Sequence, residues 1–164
     1  MDAVRETDNT QAMKAGPNPG LLRPPIIFLC AILAGIALNR AWPLHFMSPG
    51  IPLLGPLVTA CAVVLFLLSY REFRQAGTSV QGSKRSTVIV RTGPYRLSRN
   101  PIYLAFILFV LGLSVWLNNL WLLVTLVPAF GLMAAVVIPR EERFLERNFN
   151  DQYSSYKAQV RRWL

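Results

Sequence analysis

The feature that most constrains this chain is a set of four stretches without a single charged side chain: 26–38, 53–70, 101–117 and 120–138. A helix that crosses the hydrocarbon of a bilayer needs about 20 mostly apolar residues, with a range of about 17–25. The last three stretches hold 18, 17 and 19 residues and meet that requirement, whereas the first holds 13. It becomes a span over 26–44 when Arg40 snorkels toward the headgroups and Trp42 sits at the interface. The expected fold is therefore all-α: a polytopic membrane helix bundle of about four spans (26–44, 53–70, 101–117 and 120–138). Residues 21–164 form a single membrane domain, with 71–100 as a cytosolic loop and 139–164 as cytosolic amphipathic helices. The first run lies behind a polar tail carrying acids and bases, and no small-residue cleavage site follows it. It reads as a span, not a cleaved leader, and 1–20 as a disordered cytosolic tail.

Composition agrees. The chain is 53% hydrophobic and only 15% charged, against about 25% charged for ordinary soluble domains. That much apolar side chain excludes general disorder. Cys30 and Cys61, the two cysteines, both sit inside apolar runs and exclude a disulfide scaffold. The net charge of +9 raises the question of nucleic acid, which the placement of the charges answers. Successive segments outside the apolar runs hold 3, 1, 7, 0 and 6 Lys+Arg. Basic residues mark the cytosolic side, so both termini and the long middle loop are expected there, beside anionic headgroups. No nucleic-acid partner is expected. The lone histidine, His45, is predicted on the opposite face as an interfacial residue, and no metal site is expected.

Spans three and four are joined by Asn118-Asn119 alone, which makes them a hairpin. Gly112 and Ser114 on one arm, and Ala129, Gly131, Ala134 and Ala135 on the other, would let the two helices approach closely. Pro128 is expected to kink span four near its middle.

Polar residues collect in two segments flanking this hairpin. In the first, Arg91-Thr-Gly-Pro-Tyr-Arg-Leu-Ser-Arg-Asn-Pro-Ile-Tyr103, Gly93-Pro94 signals a turn. Asn100 and Pro101 suit the N-cap and first position of a helix. A helix N-terminus beside Arg96 and Arg99 favours an anion such as a carboxylate or phosphate; it also fits a plain capped span with snorkelling arginines. The second segment runs from Arg140 through Glu141-Glu142 to Leu164. Leu145, Phe149, Tyr153, Tyr156, Val160 and Trp163 recur at helical spacing, with Asn150-Asp151 as a break and Asp151 as a new N-cap. Acids directly after a span need a partner, because desolvation there is costly. Glu141 and Glu142 would pair with nearby arginines or hold a ligand ammonium. The hairpin brings both segments to one side, which suits a zwitterion with an aromatic part, such as an amino acid joined to a nucleoside.

Gly93-Pro94-Tyr95-Arg96, Arg99-Asn100-Pro101-Ile102-Tyr103 and the later Glu141-Glu142 with its aromatic stripe resemble the isoprenylcysteine carboxyl methyltransferases. They are also similar to the phospholipid N-methyltransferases. The resemblance covers roughly residues 71–164. It implies an integral membrane methyltransferase using S-adenosylmethionine (SAM). It implies Tyr95, Arg99, Asn100, Pro101 and Tyr103 as a first cofactor-binding motif, Glu141 and Glu142 as holders of the cofactor's amino group, and Tyr153 and Tyr156 as aromatic closure of the pocket. Many members have His where this chain has Asn100, and Asn cannot titrate near pH 7. The catalytic base is thus unassigned; Arg91, Arg96 and Arg140 are candidates for orienting an anionic acceptor. The acceptor is expected to be lipophilic or small: a carboxylate, amine or thiol. Two other classes stand beside this one. A sterol-reductase-like membrane protein using NADPH shares part of the first motif, but its Gly-Glu is absent after Tyr103. A non-enzymatic membrane protein would not need two polar motifs.

Overall fold

The computed structural model describes residues 23–46, 54–76 and 89–164. The expected tail 1–20 lies outside the described residues, as does most of the middle loop. Helix α1 (Pro24–Ala41) starts on a proline pair, whose missing N–H groups cost nothing in a first turn. It ends two residues before Pro43, which cannot continue it. Its 18 residues rise about 27 Å, close to the thickness of a hydrocarbon core of about 30 Å. The helix thus has the length of a span, displaced toward the N-terminus from 26–44.

Helix α2 (Leu54–Gln75) runs past Tyr70 into Arg71-Glu72-Phe73-Arg74. The loop predicted to start at 71 therefore starts later, because these residues are good or neutral helix formers and no breaker intervenes. The hydroxyls of Thr59 and Ser69 donate to Gly55 O (2.9 Å) and Leu65 O (2.7 Å), which satisfies them inside the helix. Helix α3 covers Pro101–Trp116 and α4 covers Leu120–Leu132. A π-helical turn, Met133–Val137, joins α4 to α5 (Ile138–Gln159). The helical path from Leu120 to Gln159 is thus 40 residues long; span four and the cytosolic helix are one element, not two. The path leaves helical dihedrals at Asn150 (φ 40°, ψ −117°), at the break the sequence suggests. Pro128 lies inside α4, and a π-turn follows from Met133. Among the described residues there is no strand.

Packing follows two pairs: α2 lies along α3 and α1 along α4, with less contact across the α3–α4 hairpin. The small residues serve these pairs instead of the hairpin. A Cβ on Gly112 would sit 2.7 Å from Thr59 N, and one on Gly35 would sit 2.8 Å from Leu122 Cδ2, while one on Gly131 would meet nothing within 4 Å. Phe28, Val110, Leu122, Leu126, Met133, Val137 and Ile138 form the buried core. Phe28 and Phe66 pack on Phe106 at ring separations of 5.3 and 5.6 Å.

Leu29, Leu33, Leu57, Leu67, Val124 and Val127 are exposed. Apolar surface on this scale has no place in water, whereas lipid satisfies it. Helices α1, α2 and Leu120–Gln159 are long and apolar enough to cross a membrane, and α3 is a shorter apolar helix. The protein is an integral membrane protein built as a helical bundle. At the end away from the motifs, Leu120 N–H donates to Leu44 O (3.1 Å) and Trp121 Nε1 to Trp42 O (2.6 Å). Asn119 caps α4 by accepting from Trp121 N–H (3.0 Å). His45 belongs to this exposed end.

Candidate functional site

The first polar segment is shaped before it reaches α3. Gly93 has φ +56°, and a Cβ there would also lie 2.9 Å from Glu72 Cδ; only glycine meets both demands. The 3₁₀ turn Gly93–Arg96 then buries Tyr95 edge-on against Phe73 of α2 (5.2 Å, 73°). The Thr92 hydroxyl donates to Glu72. These contacts seat the segment on the extra turn by which α2 exceeds its predicted length.

Asn100 occupies the N-cap position of α3 but makes no capping bond. Its Nδ2 donates instead to Arg162 O (3.2 Å), which also accepts from Ser98 Oγ (3.1 Å). Arg99 N–H donates to Arg161 O (3.0 Å). The partner is the C-terminal tail. Helix α5 stops at Gln159, the chain turns extended at Val160, and residues 161–162 run alongside the motif. Val160 and Trp163 thus leave the predicted helical stripe, and Trp163 packs on Phe130 of α4 (5.4 Å). The kink at Asn150 divides α5 into two helical pieces, the break that Asn150-Asp151 suggests.

The two adjacent acids have different surroundings. Glu142 is buried (6% exposed). It accepts from Arg162 Nε (3.2 Å) and Nη2 (2.6 Å), and it lies 3.1 Å from Arg99 Nη1. Glu141 accepts the Tyr103 hydroxyl at 2.6 and 2.7 Å. Arg99 is buried, and its Nε has no hydrogen-bond partner among the described residues.

The tyrosines close one side. Tyr153 and Tyr156 are buried and meet edge to face at 6.2 Å. The Tyr156 hydroxyl donates to Tyr95 O (2.7 Å). Arg91 lies over the Tyr156 ring, 5.8 Å from its centre, and donates to Gln152 O. Burial, assisted by neighbouring Tyr156 and Glu141, lifts the Tyr95 phenol far above its usual range. Burial first, then Glu142, pushes Tyr153 up to about 12 against the pull of Arg99. Burial and Tyr153 do the same for Tyr156, to about 12. The hydrogen bonds that Arg162 donates to Glu142 raise its pKa above the usual value. All three phenols are therefore neutral hydrogen-bonding groups near pH 7. Arg96 and Arg140 are exposed, and neither makes a hydrogen bond or ion pair among the described residues.

Of the predicted residues, Tyr95, Arg99, Asn100, Tyr103, Glu141, Glu142, Tyr153 and Tyr156 are joined by these contacts at one end of the bundle, with Pro101 buried at the start of α3. Arg162 and Ser98 were not singled out in the sequence. The only signal at Arg162 is a basic tail, which snorkelling explains equally well. Its partners lie 20 and about 60 residues away, so no local pattern marks it.

A helical membrane bundle with its polar groups gathered at one end fits an enzyme that works at the membrane interface. Comparison with known proteins defines the class: residues 51–152, more than half of the chain, match the phospholipid methyltransferase family. The chain belongs to that family, whose members are membrane methyltransferases. It is similar to the cobalt-zinc-cadmium resistance protein CzcN of Cupriavidus metallidurans, with 33% identity over 133 residues, 79% of this chain and 56% of CzcN. It is also similar to the nickel-cobalt-cadmium resistance protein NccN of Alcaligenes xylosoxydans xylosoxydans, with 38% identity over 66 residues, 40% of this chain and 31% of NccN. The chain thus spans about half the length of CzcN and less of NccN. No solved structure matches it.

Proposed function

We propose that this chain is a SAM-dependent methyltransferase whose site faces the cytosol and whose acceptor is a lipophilic or small carboxylate, amine or thiol. The observation that carries the reading is the buried Nε of Arg99 beside the N-terminus of α3, without a hydrogen-bond partner among the described residues, at the same end of the bundle as the Tyr103-bound carboxylate of Glu141. A buried charged donor without an acceptor is costly, and a ligand carboxylate would relieve it. Glu141, a carboxylate held by the Tyr103 hydroxyl, suits an ammonium. Glu142 does not: two guanidiniums already take its oxygens. The acidic pair inferred from the resemblance thus divides into one ligand-facing carboxylate and one internal counter-ion. Neutral Tyr95, Tyr153 and Tyr156 supply aromatic surface for a nucleoside.

SAM supplies an activated methyl on a sulfonium, which a carboxylate, thiolate or neutral amine displaces in line. The protein's share is to hold the donor, align the acceptor and exclude water, where positioning is worth up to roughly 7–11 kcal/mol. Neutral Asn100 in the motif is compatible with a displacement that needs no titrating base. Arg96 and Arg140 lack partners among the described residues and suit orientation of an anionic acceptor; Arg91, engaged with Tyr156 and Gln152, is less suited. The metal-resistance names of the relatives give a setting in which the acceptor can be sought. The test is methyl transfer from tritium-labelled SAM into the lipid and small-molecule extracts of membranes carrying the protein. Label that requires the protein and is lost in Glu141→Gln supports the reading. Label equal with and without the protein contradicts it.

A further inference from the structure

We infer that Arg162 is a positioning residue: by taking both oxygens of Glu142 from the C-terminal tail, it keeps the Arg99 guanidinium available to a ligand carboxylate. The inference rests on the SAM reading above and adds a residue to it.

Glu142 stands between two arginines that are not equivalent. Arg162 presents a fork, with Nε at 3.2 Å on Oε1 and Nη2 at 2.6 Å on Oε2. Two parallel charge-assisted bonds of this kind fix a carboxylate in both position and plane. Arg99 is in ion-pair contact with Oε1 at 3.1 Å but outside hydrogen-bond geometry, so among the described residues its Nη1 and Nε both lack a hydrogen-bonded acceptor. Yet the Arg99 and Glu142 side chains are the more buried of the three, at 9% and 8% exposed against 37% for Arg162. Left as a simple pair, a buried carboxylate and guanidinium would close on one another and satisfy both. The fork from Arg162 orients the carboxylate so that Arg99 stays in ion-pair contact with it without gaining a hydrogen bond.

The tail that brings Arg162 also fixes the backbone of Arg99. Arg161 O accepts Arg99 N–H, and Arg162 O accepts from Ser98 and Asn100 on either side. Trp163 then anchors the tail on Phe130. Residues 161–163 thus set both the chain position and the charge partner of Arg99. A donor held open in advance binds an anion without first breaking an internal hydrogen bond. Lysine in place of Arg162 keeps the charge but not the two-point fork.

The test compares SAM with decarboxylated SAM, which lacks the carboxylate, by equilibrium binding to the purified full chain. In Arg162→Ala, Glu142 is free to turn and hydrogen-bond Arg99, and affinity for SAM falls about tenfold while affinity for decarboxylated SAM is unchanged. The Glu142→Gln/Arg162→Ala double variant removes the competing charge and recovers part of the loss. Arg162→Lys falls between wild type and Ala, and it carries the same comparison should Arg162→Ala not fold. A loss that is equal for the two ligands, or no loss at all, overturns the inference and leaves Arg162 a structural clamp. Wild-type protein that binds neither ligand overturns the SAM reading itself.

Discussion

The two glutamates that adjoin in sequence perform different work, and the difference is measurable. Removing the charge of Glu141 leaves its Tyr103 contact replaceable but takes away the carboxylate proposed to hold the cofactor's ammonium. Glu141→Gln is expected to weaken SAM binding by about 1.5–3 kcal/mol, the worth of a hydrogen bond to a charged group, with little change in melting temperature. Glu142→Ala strands Arg99 in a buried setting, and loss of one partner from such a pair costs about 3–5 kcal/mol. Its signature is a fall in thermal stability without any ligand. The phenols give a third prediction. Their folded pKa values lie above the unfolded value of 10.0, so the fold favours the neutral form. That contribution is complete below pH 10 and is lost as pH rises through about 12 for Tyr153 and Tyr156. Titration of tyrosinate absorbance in Tyr153→Phe should lack a component near pH 12; loss of a component near pH 10 instead would contradict the burial. The motif residues were legible in the sequence because each carries distinctive chemistry. The division of labour between Glu141 and Glu142 was not, because it depends on Arg162 returning from 20 residues further on.

The elements themselves were plain in the sequence, since charge-free runs of span length allow little else. Their pairing was not. Short connections made α3 and α4 look like the principal contact, whereas α2–α3 and α1–α4 are the extensive interfaces. Glycine shows why: Gly112 and Gly131 look alike in sequence, yet one faces Thr59 backbone and the other open space. Gly112→Ala should therefore destabilise by about 1–3 kcal/mol through overpacking against atoms that cannot yield. Gly131→Ala should be neutral or stabilising by up to about 1 kcal/mol, from helix propensity alone. Thermal unfolding in detergent separates the two. The π-turn Met133–Val137 was also hidden, because nothing in Met-Ala-Ala-Val-Val marks it. It lies just ahead of the two glutamates and sets the face of α5 from which they project, as π-bulges near functional sites often do.

At the scale of the whole molecule, charge and lipid-facing surface act together. The exposed leucines and valines of α1, α2 and α4 require a bilayer, and the basic residues collect at the end where the polar segments meet. In the proposed reading this end lies at the cytosolic interface, where a lipophilic acceptor from the membrane and a soluble cofactor could both reach it. Reporter fusions at each terminus should then both read as cytosolic; an N-terminus on the far side would mean that α1 does not cross. The family membership and the helical bundle agree with this arrangement, but the central claim concerns the cofactor. The most direct test is equilibrium binding of SAM to the full chain in mild detergent, with NADPH as the parallel ligand. The account predicts saturable SAM binding in the micromolar range, weakened in Glu141→Gln, with NADPH inert. Binding of NADPH alone, or of neither ligand to folded protein, would contradict it.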